Sequence, residues 1–228
     1  MEQHDTEIAG LSTIVAGSAP GARIVVVILH GYAMVNTDLA AFAHSMRLPG
    51  LVLLPRAPHA VHTGGYAWWP IDADARSASM QQGPRDLFDE YPAGRDAARQ
   101  RMGEFLAAVR STYPQLPLAL VGFSQGGMLA CEMILHATSI DGLALLSASR
   151  LALREWDASA GRLRGLPVLV SHGRADDDLA YAAGENLRDW LSQAGATVCW
   201  TPFEGGHQIP LVVWRQLRKF LTALCAHS

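Results

Sequence analysis

An α/β fold, a mostly parallel sheet with helices on both faces, follows from three features of this 228-residue chain. Short apolar runs of strand length recur, separated by segments of helical period. The runs are rich in β-branched residues, as in Ile24-Val25-Val26-Val27-Ile28, the pattern of strands covered on both sides. Finally, the polar and glycine-rich clusters with chemical potential stand directly after such runs. In an open parallel sheet, that is the edge where ligands bind.

Residues 11–16 read as a short strand, closed by the turn Gly17-Ser18-Ala19-Pro20-Gly21. Residues 23–29 form the next strand. Asn36, Thr37 and Asp38 offer caps for a helix running through Met46, and Pro49-Gly50 punctuates before a strand at 51–54. The section from about 55 to 92 is irregular and too long for an idle connection, so it is expected to be a lid-like element. A helix at 93–113 follows, with Met102, Phe105, Leu106 and Val109 on one face. Then come a strand at 118–121, a helix to about His136 and a strand at 143–147. A buried strand at 166–171 leads to a helix at 179–194, and a last strand at 197–203 precedes a helix at 210–225. No internal repeat, linker or low-complexity stretch interrupts this order, so residues 1–228 are expected to form one domain without a large cap domain.

Half of the residues are hydrophobic and 17% are charged, enough for one large core. A net charge of −3 gives no reason to expect nucleic acid or an anionic membrane as partner. Cys131, Cys199 and Cys225 are widely spaced, odd in number and form no metal knuckle. Buried thiols in a reducing, cytoplasmic setting are the simplest account. The first residues carry Glu2, Asp5 and Glu7 rather than the apolar core of a signal peptide, and no run reaches the length of an integral membrane segment.

The chain is organised around Gly122-Phe123-Ser124-Gln125-Gly126-Gly127, which follows the strand ending at Val121. G-x-S-x-G between strand and helix puts a serine on a sharp turn with its hydroxyl above the sheet. Gly122 and Gly126 flank the serine where a side chain would crowd the turn. The remaining candidates obey the same placement. His30-Gly31-Tyr32 follows the strand at 23–29, His172-Gly173-Arg174-Ala175-Asp176 follows that at 166–171, and Gly205-Gly206-His207 follows that at 197–203. A serine, a carboxylate and a histidine thus stand on one sheet edge in the order used by α/β-hydrolases. The His-Gly-x-x-Asp spacing favours Asp176, with Asp177 and Asp178 as neighbours better suited to capping the next helix. His172 beside three aspartates would suit a metal only with further converging ligands, and none stands out. His30 and His172 are expected to brace turns.

These strings resemble the phospholipase/carboxylesterase group of α/β-hydrolases, which includes acyl-protein thioesterases. The resemblance rests on Leu29-His30-Gly31, Gly122 to Gly127, Ser171 to Asp176 and Gly205 to His207, and it runs from about Ile24 to the C-terminus. It implies Ser124 as nucleophile, Asp176 as acid and His207 as base, with the backbone N–H groups of Tyr32 and Gln125 as the oxyanion hole. It further implies a cofactor-free, metal-free hydrolase of small-molecule esters or thioesters acting through an acyl-enzyme. Tyr32 departs from the small residues that relatives often carry after the first His-Gly. Within the 55–92 section, Trp68 and Trp69 are substrate-binding candidates as an aromatic wall; the same rings would equally serve to pin a long loop to the core. Amide or peptide cleavage on the same residues, and a non-catalytic protein that only binds a hydrophobic ligand, are the alternatives.

Overall fold

In a computed structural model, residues 3–136 and 138–226 are described. Eight strands form one sheet: β1 (Gln3–Ile8), β2 (Leu11–Ala16), β3 (Val25–Leu29), β4 (Leu51–Pro55), β7 (Leu118–Phe123), β8 (Gly142–Leu146), β9 (Pro167–Gly173) and β10 (Thr197–Phe203). Their order is β1-β2-β4-β3-β7-β8-β9-β10. The β1–β2 and β2–β4 pairs are antiparallel, and every later pair is parallel. This is the α/β-hydrolase fold.

Every residue of β3, β4, β7 and β8 is buried, because both faces of the sheet are covered. Alternation still sorts their side chains. Val25, Val27 and Leu29 enter one core together with Met102, Phe105 and Leu129, from α3 (Arg95–Thr112) and α4 (Gln125–Leu135). Ile24, Val26 and Ile28 enter the other with Leu39, Met46, Trp214 and Leu217, from α1 (Thr37–Met46) and α7 (Leu211–Leu224). The period of two therefore chooses the core, while the apolar run supplies both.

Five elements escape a reading based on apolar period. β1 is an almost wholly exposed edge strand, held by its antiparallel ladder to β2. The section expected to be irregular contains the two-residue pair β5 (His59–Ala60) and β6 (Tyr66–Ala67), and the helix α2 (Ala73–Met80). α2 buries none of its residues; Asp72 starts it by accepting hydrogen bonds from the N–H groups of Asp74 and Ala75. A further short helix, α5 (Leu153–Ser159), is anchored by the buried Trp156. The expected cap at Asn36 also differs. Its side chain makes no cap bond and instead donates to the Leu54 carbonyl at 2.9 Å. Cys199, expected as a buried thiol, is exposed on the edge strand β10.

β7 turns into α4 with almost no clearance. A Cβ on Gly126 would lie 2.4 Å from the Leu29 carbonyl oxygen and 2.6 Å from that of His30. Both obstacles are backbone, so neither can rotate aside. Gly126→Ala is expected to destabilise the fold by at least about 3 kcal/mol, seen as a lowered urea midpoint. An unchanged midpoint would mean that α4 can lift off the sheet freely.

Candidate active site

Ser124 occupies the turn between β7 and α4 at φ +52°, ψ −119°, a region costly for a residue with a Cβ. Its N–H donates to the Leu146 carbonyl of β8 at 2.9 Å, and its own carbonyl accepts from Gly127 and Met128. The hydroxyl lies 2.9 Å from His207 Nε2, and His207 Nδ1 lies 2.7 Å from Asp176 Oδ2. Serine, imidazole and carboxylate, nominated from three separate strand ends, thus form one hydrogen-bonded row.

The loops after β9 and β10 bring the latter two together. Arg174 N–H donates to the Phe203 carbonyl and Ala175 N–H to that of Gly205. Gly173 makes the contact feasible: a Cβ there would stand 2.4 Å from the carbonyl oxygens of Gly205 and Gly206. Asp176 is only 4% exposed. Its Oδ1 accepts the N–H groups of Asp178 and Leu179 at 3.0 and 2.9 Å. Burial alone would raise its carboxyl, but hydrogen bonds from His172 and His207, the nearby imidazole charge and the Leu179 amide outweigh that and hold it well below the usual carboxylate range. The carboxylate is therefore ionised at neutral pH.

His172 and His30 brace turns as expected. His172 Nε2 lies 3.0 Å from the Leu179 carbonyl and 3.3 Å from Asp176 Oδ2. The carbonyl requires a proton on Nε2, which fixes the tautomer and also orients the acid. His30 accepts the Ala57 N–H at Nε2 and has Nδ1 2.8 Å from the Gly31 carbonyl. Burial pushes its imidazole down, so it stays neutral.

Gln125 begins α4, so its N–H has no partner within the helix. Tyr32 follows the end of β3, and no backbone acceptor among the described residues takes either amide. Both residues line the cavity that contains Ser124, of about 480 Å³. The Gln125 side chain has a task that no motif signals. Its Oε1 accepts the Trp68 N–H and its Nε2 donates to the Trp69 carbonyl, each at 2.9 Å. The amide thereby imitates a strand partner for a loop 56 residues away.

The two tryptophans divide. Trp69 lines the cavity. Trp68 does not, a correction to its reading as a wall: it is 1% exposed and its Nε1 donates to the His30 carbonyl at 2.8 Å. It pins the loop. A second correction concerns Asp178, expected to cap the following helix α6 (Tyr181–Gln193). The N-cap is Ala180, with no side-chain bond. Asp178 is instead gripped by Arg76 of α2 and by Arg85, while its carbonyl accepts the Arg85 N–H at 2.9 Å. The lid-like section is thus bolted to the loop that carries Asp176. Asp177 is exposed. Among the described residues no group of three His, Cys, Asp or Glu side chains is arranged to hold a metal, and no helix is long and apolar enough to cross a membrane.

A sequence profile of the family described as phospholipase/carboxylesterase matches residues 10–225. Among solved structures, esterase PE8 is 26% identical with a TM-score of 0.79, over 94% of this chain and 99% of that one. Acyl-protein thioesterase 2 of Zea mays is 23% identical with a TM-score of 0.74, over 93% and 98%. A carboxylesterase from Mesorhizobium loti is 19% identical with a TM-score of 0.74, over 96% and 98%. At those identities the latter two attest the shared fold.

The Asp178 cluster yields a stability prediction. Burial alone would raise the Asp178 carboxyl; hydrogen bonds from Arg85 and Arg76 outweigh it and hold it below its ordinary value. A depressed carboxylate stabilises the fold fully above the unfolded value, about 3.9, and that contribution fades as pH falls through the folded one. Asp178→Asn is expected to cost about 1–3 kcal/mol at neutral pH. In denaturation series the gap to wild type should narrow as pH drops from about 4 toward 2; a constant gap would contradict the ion-pair account.

Proposed function

The chain belongs to the phospholipase/carboxylesterase family, a hydrolase of carboxylesterase/thioesterase type, and on that footing we propose that Ser124, His207 and Asp176 carry its chemistry through an acyl-enzyme. The supporting observation is the single imidazole that bridges Ser124 Oγ at 2.9 Å and Asp176 Oδ2 at 2.7 Å. A serine hydroxyl is a weak nucleophile until a base within such reach takes its proton.

In the proposed course, His207 Nε2 accepts the Ser124 proton as Oγ bonds to the ester carbonyl carbon. The negative charge that develops on the carbonyl oxygen is met by the N–H groups of Tyr32 and Gln125, the latter at the positive end of α4. Asp176, ionised throughout, holds the proton on Nδ1 and stabilises the imidazolium. The carbon–oxygen or carbon–sulfur bond then breaks, and Nε2 hands its proton to the departing alcohol or thiol. Water loses a proton to the same nitrogen, attacks the acyl carbon and leaves the carboxylic acid, while the proton returns to Ser124. Trp69 is the residue of the lid-like section proposed to face the acyl group.

Variants rank these roles. On a p-nitrophenyl ester, Ser124→Ala is expected to lose about 10⁵-fold or more in kcat and Asp176→Asn about 10⁴-fold. Asp177→Asn, at an exposed carboxylate, should stay within about twofold. Comparable losses at Asp176 and Asp177 would overturn the choice of acid.

A further inference from the structure

Two cavities meet at Ser124. The first, of about 480 Å³, runs beneath the lid-like section past Trp69, Ile71 and Leu87 to Met128 and Leu151. The second, of about 420 Å³, lies between α1 and α7 and is lined by Met34, Leu39, Phe42, Phe123, Ile209 and Trp214, with the polar Asp38 and Gln208. Ser124, Tyr32, Arg76 and Asp178 border both, so the Arg76–Asp178 ion pair stands in the partition between them. Two further groups of the site are not shared. Gln125 lines only the first cavity and His207 only the second.

That asymmetry assigns the substrate's two halves. This step rests on the reading of Ser124 and His207 as nucleophile and base. Once Ser124 Oγ has bonded to the carbonyl carbon, three substituents remain to be placed. The oxygen must face the N–H groups of Tyr32 and Gln125. The leaving heteroatom must lie within reach of His207 Nε2, the nitrogen that holds the proton it needs. The acyl chain takes the direction left over. We propose that the cavity under the lid-like section takes the acyl chain, and that the cavity between α1 and α7 takes an apolar, flat leaving alcohol or thiol.

The walls of the second cavity specify that group. Phe42 and Trp214 stack with centroids 4.7 Å apart and planes 4° from parallel. Phe42 is 41% exposed despite its size, while Trp214 is 3% exposed. The Trp214 Nε1 is buried with no acceptor among the described residues. An aromatic platform with apolar neighbours favours a ring over a polar or charged alcohol. The substrate class is a small-molecule ester whose alcohol is aryl or arylalkyl.

The test uses the full chain and two ester series. One varies the alcohol (methyl, benzyl, naphthylmethyl) on a constant butyryl group; the other varies the acyl chain on a constant p-nitrophenol. With a common acyl group, differences in kcat/KM belong to acylation, the step in which the leaving group is bound. Phe42→Ala is expected to lower the benzyl-over-methyl ratio about tenfold while the acyl-length profile keeps its shape. Ile71→Ala, in the other cavity, is expected to do the converse. If Phe42→Ala shifts the acyl profile instead, the assignment is reversed; if it shifts neither, the platform is no part of the site. Labelling of Ser124 by a fluorophosphonate, run on the same samples, separates the failures. An unlabelled wild type would remove the nucleophile itself, whereas labelled protein with a flat alcohol ratio would remove only the leaving-group site.

Discussion

The structure depends on one costly turn. Ser124 holds a backbone conformation whose strain is on the order of 1–3 kcal/mol, and the surroundings must over-determine it. They do so from both sides. β7 is buried along its whole length and carries the serine to a fixed height, and every residue of α4 is buried behind it. The helix is also held at depth by charge. Glu132, wholly buried, faces Arg95 and Arg99 at 3.5 and 3.2 Å and accepts the Trp156 Nε1–H. Removing one partner of such a group leaves an unpaired buried charge, so α4 cannot slide without large cost. The rigid helix then presents its first amide and the Gln125 side chain from a constant position.

From that turn outward, each group is positioned by another. Asp176 is aligned by two backbone amides and by His172, and it aligns His207 in turn. The same short loop continues into Asp178, which holds Arg76 and Arg85 of the lid-like section. Any outward movement of α2 would pull on the peptide units that bond the acid. On the other flank, Gln125 ties down the backbone of Trp68 and Trp69. The long section over the site is therefore fastened at two places, which accounts for its order despite the lack of buried residues in α2.

The sequence disclosed the parts whose physics is local or periodic. Fully buried strands announce themselves as apolar runs, and Ser124, Asp176 and His207 stand out as candidates because each follows one. The shared fold and family agree with the fold class and hydrolase type read from the sequence. What stayed hidden depends on contacts between distant positions. Nothing near Gln125 reveals that its amide will serve a loop 56 residues away, and nothing near Asp178 distinguishes a helix cap from a partner of two arginines. Trp68 and Trp69, adjacent and identical, are told apart only by distant partners: the first donates to the His30 carbonyl and the second lines the cavity beside Ser124. β1 and α2 were illegible for another reason: polar, exposed elements carry no apolar period to read.

The central claim is that Ser124 Oγ becomes covalently acylated during turnover. Rapid mixing with a slowly deacylating ester, acid quench and intact-mass measurement tests it most directly. One acyl mass should be added per chain, mapped to the peptide bearing Ser124, forming at the rate of the alcohol burst and absent in Ser124→Ala. A burst without an adduct, or an adduct on another residue, would contradict it.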